Sequence, residues 1–186
     1  METIPMTREL PSFRLDETGY SPAFFMSEIS TSTCDHVEAL ERIVRKTHRS
    51  ARLCMFADAS APLHAMIIAQ PRGMDSLPRL LANKPKLFMP LRGRIVLMKL
   101  NTEGDVEKRA VLQPGRDILS YVEPGVAYID LPVEEVTVHL EITLGPHDRV
   151  GDRNFPRFRW DSGVEARNVW RNEQMRFALE TDSGSA

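Results

Sequence analysis

The sequence predicts an all-β domain with one accessory helix. After residue 51, hydrophobic residues recur at every second position, which is the period of a half-buried strand. These runs are short, lie roughly 8–12 residues apart and have no helical pattern between them. Pro-Gly pairs at 114–115 and 124–125 separate some of them, and such pairs form tight turns. The pattern is typical of an antiparallel sandwich or barrel.

The first elements are an arm and a helix. Residues 1–34 show no sustained period and are predicted as an arm packed on the domain, with one short strand at most. Residues 35–46 are predicted as a helix, with Asp35 and Glu38 at the spacing of a capping box. One face of the helix carries, at three- and four-residue steps, Val37, Leu40, Ile43, Val44 and Thr47.

Eight strands are predicted after the helix, in one domain that ends near residue 160. Their ranges are 52–56, 63–70, 86–89, 94–100, 106–112, 117–122, 126–131 and 136–144. The last strand alternates most regularly, with Thr137, His139, Glu141 and Thr143 on one face and apolar residues on the other. Which face looks inward stays open, since a one-residue slip exchanges them. Methionines at 66, 89 and 98 indicate an apolar barrel lumen.

Residues 161–186 are predicted as a C-terminal extension. Residues 164–179 have a helical pattern that places Val169 and Trp170 against the body, and residues 180–186 are predicted to be disordered. This part of the chain is rich in arginine, but acidic residues stand among the arginines. We therefore expect an ion-paired or solvated face, with binding of an anionic ligand as the alternative.

Composition excludes several classes of protein. A net charge of -2 lacks the basic surplus of a nucleic-acid-binding protein, and no apolar run has the length of a membrane span. Charges are scattered through the first residues, unlike a secretory signal. Cys34 and Cys54 form neither a disulfide framework nor a CxxC pair. We expect a cytoplasmic protein that binds neither nucleic acid nor membranes.

Several segments carry a resemblance to a known family. They are "ARLCMF", "LHAMIIAQPRG", "LRGRIVLMKLNTEGDV", "VEPGVAYIDL" and "LEITLGPHDRVGDRNF". They resemble the WbuC-type cupin-fold metalloproteins, which are often encoded among surface-polysaccharide genes. The resemblance covers roughly residues 48–160. It implies a cupin-type antiparallel β-barrel, or jelly roll, and a homodimer.

The resemblance also implies a metal site whose ligands this sequence lacks. Members hold a divalent metal with a His-x-His pair, a glutamate six residues later and a more distant histidine. Counted back from "LRGR", the first three positions are Pro78, Leu80 and Lys86, and Tyr128 replaces the distant histidine after the second Pro-Gly turn. Proline and leucine side chains cannot donate to a metal, and Lys86 would repel one. We therefore expect no metal and no cofactor.

Two other interpretations remain open. His64, His139 and Glu141 could form a relocated metal site if they converge within about 2.0–2.2 Å of one ion, or they could be ordinary strand residues. Alternatively, Tyr128 and Lys86 resemble the catalytic tyrosine and lysine of the metal-free cupins that epimerise dTDP-sugars. No matching histidine is readable in the sequence, and Tyr128 could simply fill the space of the lost metal site.

The sequence favours a metal-free cupin homologue that binds a small polar ligand or a partner without catalysis. A sugar or sugar nucleotide in surface-polysaccharide metabolism is the ligand class that the resemblance implies. The alternative is a metal-independent sugar epimerase or isomerase that uses Tyr128 and Lys86. The candidate ligand-binding residues are Arg79, Lys86, Arg92, Tyr128, His64, His139 and Glu141.

Overall fold

The computed structural model describes residues 10, 13–18, 21–26, 31–148, 152 and 154–183. These residues contain eleven strands and two helices. The elements are β1 Arg14–Asp16, β2 Ala23–Phe25, α1 Cys34–Thr47, β3 Ala51–Cys54, β4 Leu63–Pro71, β5 Arg79–Leu80, β6 Lys86–Arg92, β7 Ile95–Leu100, β8 Val106–Leu112, β9 Ser120–Val122, β10 Ala127–Pro132, β11 Val136–Leu144 and α2 Val164–Ser183. Neither helix is long and apolar enough to cross a membrane.

The strands form two sheets in jelly-roll order. One sheet has the order β1-β2-β3-β4-β11-β6-β9, and the other has the order β5-β10-β7-β8. From β4 onward, the chain alternates between the sheets, except that β7 and β8 are neighbours in the smaller sheet. The strands β4-β11-β6-β9 thus face β5-β10-β7-β8, which is the arrangement of two Greek keys. The predicted all-β jelly roll with an accessory helix is confirmed. The space between the two sheets is called the lumen below.

Three strands fall outside the eight that were predicted. β1 and β2 form a small hairpin in the arm, and β2 adds to β3 in parallel. β5 has only two residues, which pair with β10. A two-residue strand has no detectable period, so the sequence gives no signal for β5. Its position matters because it brings Arg79 to the lumen.

Helix α1 covers half of the outer face of the larger sheet. Leu40, Ile43 and Val44 are buried against residues of β3, β4 and β11, and each such side chain contributes about 1.5–3 kcal/mol by burial. The predicted helix is therefore confirmed, although its cap differs. The N-cap is Thr33, whose backbone N–H donates to His36 Nδ1 at 3.1 Å.

Strand β11 separates the apolar outside from the polar lumen. Val136 and Val138 pack beneath α1, so the alternate residues, including His139 and Glu141, point into the lumen. The expectation of an apolar lumen is therefore wrong for its centre. Met98 lies on the other side of its sheet, under α2.

Helix α2 covers the outer face of the smaller sheet. Met175 and Ala178 are buried against it, and Trp170 stacks on Trp160 with ring centroids 3.9 Å apart. Trp170 therefore faces the body as predicted, whereas Val169 does not, since it is 55% exposed. The helix continues to Ser183, past the predicted start of disorder, and residues 184–186 lie outside the described residues.

Ion pairs fasten α2 to the loop before β5. Arg167 Nη2 lies 2.7 Å from Asp75 Oδ2, and Arg171 Nη1 lies 2.9 Å from Asp75 Oδ1. Arg167 Nη1 also contacts Asp161 at 2.5 Å. These contacts are the ion-paired face expected for the arginine-rich extension. Arg149 and Arg153 lie outside the described residues.

Candidate functional site

Seven polar side chains from five strands lie in or border the lumen. Tyr128 and Asp130 are two residues apart on β10, so they point to the same side, and the same holds for His139 and Glu141 on β11. The cluster, called the lumen cluster below, consists of Gln70 from β4, Arg79 from β5, Lys86 from β6, Tyr128 and Asp130 from β10, and His139 and Glu141 from β11. All except Arg79 are buried.

Two ion pairs balance the charges of the lumen cluster. Lys86 Nζ lies 2.8 Å from Glu141 Oε1. Arg79 Nη1 lies 3.4 Å from Asp130 Oδ1 and 4.0 Å from Glu141 Oε2. Gln70 Nε2 donates a 3.0 Å hydrogen bond to Asp130 Oδ2. Two cations thus face two anions within the lumen cluster.

The pKa shifts keep these four groups charged at neutral pH. Burial opposes the charge on Asp130, but Arg79 and the other polar neighbours together outweigh burial and lower the pKa of that carboxyl. Burial likewise opposes the charge on Glu141, and Lys86 is the main group among those that lower its pKa. For Lys86, burial alone would lower the pKa, and Glu141 together with Tyr128 raises it overall. The pKa of Arg79 is raised chiefly by Asp130.

His139 and Tyr128 are neutral and have no hydrogen-bond partner in the described part of the chain. Neither ring nitrogen of His139 nor the hydroxyl of Tyr128 is paired. Burial lowers the pKa of His139 and raises the pKa of Tyr128, although neighbouring charges oppose part of each shift. Both rings pack on Phe88, with centroids 5.6 Å away for His139 and 5.9 Å away for Tyr128. Two further buried atoms of the cluster are unpaired, namely Glu141 Oε2 and Gln70 Oε1.

The lumen cluster does not fit the metal that the resemblance implies. Its carboxylates are engaged by Lys86 and Arg79, and two fixed positive charges would repel a dication. Among the residues that the structure describes, no three His, Cys, Asp or Glu side chains lie together as a metal would require.

The relocated metal site is not formed either. His64 pairs in register with Thr143 near the end of β11, and its ring stacks on Phe56 with centroids 4.2 Å apart. His139 and Glu141 lie further along the strand, within the lumen cluster. The three side chains therefore do not converge on one point.

The structure gathers most, but not all, of the residues expected from the sequence. Five of them meet in the lumen cluster: Arg79, Lys86, Tyr128, His139 and Glu141. Leu80 follows Arg79 on β5, so the two side chains lie on opposite faces, and the lumen position belongs to Arg79 rather than to Pro78 or Leu80. Arg92 lies outside the lumen and pairs with Glu41 of α1 at 2.8 Å.

Two members of the lumen cluster were not predicted. Asp130 shares a face with Tyr128 on one strand, so strict alternation along residues 126–131 was the signal that could have found it. Gln70 is in register with Thr137, which lies on the polar face of β11. Finding Gln70 required the pairing of two strands, which the sequence alone does not give.

A separate surface depression of about 650 Å³ lies at the beginning of α2. It is lined by Leu77, Asn154, Arg157 and Arg167 among others, and it contains no residue of the lumen cluster. Arg167 is already engaged by Asp75 and Asp161. The depression therefore offers a ligand fewer unpaired polar groups than the lumen does.

No family model matches this chain, and no curated protein matches it. Among solved structures, it is similar to procruciferin from Brassica napus, with 17% identity over 46% of this chain and a TM-score of 0.40. Peruvianin-I, a cysteine peptidase from Thevetia peruviana latex, gives the same three values. The cupin domain of Cnp3 from Schizosaccharomyces pombe is 15% identical over 57% of this chain and 70% of its own, with a TM-score of 0.42. The match spans only 21% of procruciferin and 52% of Peruvianin-I.

Proposed function

We propose that this protein binds a small polar ligand in the lumen of its barrel, without a metal and without catalysing a reaction. The proposal rests on one observation, the unpaired buried polar atoms of Gln70, Tyr128, His139 and Glu141. Each unpaired buried polar group costs about 1–3 kcal/mol. A ligand that pairs with several of them at once would remove this cost, and the gain would appear as affinity.

The unpaired atoms define the chemistry of the ligand. The hydroxyl of Tyr128 both donates and accepts, and the neutral ring of His139 has one donor and one acceptor nitrogen. The oxygens of Glu141 and Gln70 accept only. Hydroxyl groups match this mixture because each can donate and accept. A sugar or sugar nucleotide is therefore the ligand class we propose, and the resemblance of the sequence supports a place in surface-polysaccharide metabolism.

The ion pairs support binding over catalysis. A general base must be free to take a proton, but Asp130 and Glu141 are held by Arg79 and Lys86. Their lowered pKa values make both carboxylates poor proton acceptors at neutral pH.

Tyr128→Phe is expected to weaken ligand binding by about three- to tenfold while making the free protein more stable by about 1 kcal/mol. Affinity falls because the ligand loses one hydrogen bond, and stability rises because an unpaired buried hydroxyl is removed. Calorimetric titration with glucose, galactose, their uronic acids and UDP-glucose would measure the first effect, and urea unfolding the second.

Tyr121→Phe is the matched control, since Tyr121 is 57% exposed on β9. It should change neither quantity. The proposal is contradicted if the Tyr128→Phe variant and the unaltered protein have equal affinity for every ligand that binds. It is also contradicted if no compound of the panel binds.

One observation favours the alternative, a metal-independent sugar epimerase or isomerase. The histidine that could not be read from the sequence is present as His139, and it packs on Phe88 together with Tyr128. In that reaction His139 would take a proton from carbon, Tyr128 would return one, and Lys86 would stabilise the oxyanion. Deuterium uptake into a nucleotide sugar incubated in D₂O, abolished by Tyr128→Phe and Lys86→Ala, would support it. Absence of uptake would reject it.

We also propose that the protein is a homodimer that pairs through the uncovered half of the larger sheet. In register, Leu63 lies beside Leu144, and Leu87 lies between Ile142 and Tyr121. These apolar residues share the outer face, and Leu63, Tyr121 and Leu144 are exposed. Contiguous exposed apolar patches of a few hundred Å² commonly mark interaction sites. Light scattering should give a dimer at micromolar concentration and a monomer for Leu144→Glu, whereas a monomeric unaltered protein would reject this proposal.

A further inference from the structure

We infer that the ligand of the lumen carries a carboxylate, and that Arg79 receives it at the mouth of the barrel. The inference rests on the proposed ligand-binding function and specifies the ligand class. It points to small hydroxylated acids, such as uronic acids, and away from neutral sugars.

Arg79 differs from the rest of the lumen cluster in its exposure. Its side chain is 28% exposed, whereas those of Lys86 and Glu141 are 7% and 4% exposed. Arg79 therefore lies where the lumen meets solvent, and a ligand that enters the lumen from this side meets its guanidinium first.

Arg79 also differs in how it is paired. Lys86 and Glu141 are in close contact at 2.8 Å, the length of a charge-assisted hydrogen bond. The ion pairs of Arg79 are longer, with approaches of 3.4 Å to Asp130 and 4.0 Å to Glu141. A guanidinium binds a carboxylate best through two parallel hydrogen bonds, and these longer contacts leave Arg79 room to form them with a ligand.

The strand register places further positive charge along the same edge. Tyr128 on β10 is paired with Arg79 on β5 and with Lys99 on β7, and Lys99 is paired with Lys108 on β8. Paired residues project to the same side of a sheet, so Arg79, Lys99 and Lys108 share one row on the lumen side. Glu107 pairs with Lys99 at 2.7 Å. Asp130 pairs with Arg79 at 3.4 Å, so the three cations of this row face two paired carboxylates, and the surplus favours an anionic group at the mouth.

The same strand register predicts the order in which the groups of the ligand meet the residues of the lumen. Because Arg79 is directly paired with Tyr128, a carboxylate on Arg79 brings the adjoining atoms of the ligand beside the Tyr128 hydroxyl. Groups further in approach His139, which packs with Tyr128 on Phe88. A molecule with a carboxylate at one end and hydroxyl groups behind it satisfies the mouth and the lumen together.

The test compares two sugars that differ only in the carboxylate. Glucuronate and glucose are titrated separately into the unaltered protein, and galacturonate and galactose form a second pair. We expect each uronate to bind at least about tenfold more tightly than its neutral sugar, a difference of one bidentate charged contact. Arg79→Met should reduce the preference to less than about twofold.

Two further variants guard against a folding artefact. Arg79→Lys keeps a positive charge opposite Asp130 but lacks the planar guanidinium that forms two parallel hydrogen bonds. We therefore expect this variant to fold and to lose most of the preference for uronates over neutral sugars. Arg92→Met removes an arginine outside the lumen and should leave the preference unchanged.

The outcomes separate this inference from the proposed function. If sugars and uronates bind equally and Tyr128→Phe weakens both, the ligand site stands and the carboxylate assignment is wrong. The assignment is also wrong if Arg79→Met and Arg79→Lys keep the full preference. If none of the four compounds binds, the carboxylate assignment is rejected, and the proposed function is rejected with it if UDP-glucose does not bind either.

Discussion

Replacing Lys86 with methionine is expected to lower the free energy of unfolding by about 3–5 kcal/mol. Lys86 and Glu141 form a 2.8 Å ion pair in which both side chains are at least nine-tenths buried. Methionine retains most of the volume but leaves the Glu141 carboxylate without its main partner. The buried carboxylate must then remain charged without a close counter-ion or take up a proton, and either change costs stability.

A surface pair in the same molecule gives the control for this effect. Lys99 and Glu107 are 2.7 Å apart, but their side chains are 49% and 44% exposed. Lys99→Met should therefore cost no more than about 1 kcal/mol. The double variant Lys86→Met/Glu141→Leu should recover most of the loss, because it removes both charges together. Urea unfolding of the four proteins measures these effects, and a loss below 1 kcal/mol for Lys86→Met would contradict the buried pair.

Stability is expected to fall as the pH is lowered from 7 to 5, and His139 is a main cause. Burial lowers the pKa of His139 in the folded protein. Below pH about 6.5, the unfolded chain binds a proton that folded His139 does not, so each pH unit removes up to about 1.4 kcal/mol of stability. His64, whose pKa is also lowered chiefly by burial, contributes a second part of the same slope.

His139→Gln should therefore flatten the slope between pH 7 and 5, and His139→Gln/His64→Gln should nearly abolish it. Below about pH 4.5 a second decline is expected for all these proteins. There the lowered pKa values of Asp130 and Glu141 make the unfolded chain take up protons first. Urea unfolding at intervals of half a pH unit measures both declines. A slope that His139→Gln leaves unchanged would show that His139 is not buried in its neutral form.

Most of what the sequence predicted about the strands came from the alternation of apolar and polar residues. It predicted β11 with its correct bounds and separated His139 and Glu141 from the valines of the same strand. It did not decide which face is buried, because both faces are: the valines pack under α1, and the polar residues fill the lumen. An amphipathic strand normally turns its polar face to water, and this one turns it to other charges.

The ion pairs of the lumen were not readable for a different reason. Lys86 and Glu141 belong to neighbouring strands that are distant in sequence, and Arg79 belongs to a strand too short to show a period. Counting from "LRGR" selected Lys86, which lies in the lumen, but it also selected Pro78 and Leu80, which stand on either side of Arg79. Register between strands depends on turns and packing across the whole sheet, which local patterns do not contain.

The most direct test of the account is the NMR signal of the His139 side chain in chelator-treated protein, assigned by its absence in His139→Gln. Titration with glucuronate is expected to shift this signal in protein that elemental analysis shows to be free of transition metals, and the shift should be much smaller in Tyr128→Phe. An unchanged signal in metal-free protein, together with a shift that returns when about one equivalent of a divalent metal is added, would contradict a metal-independent ligand site in the lumen.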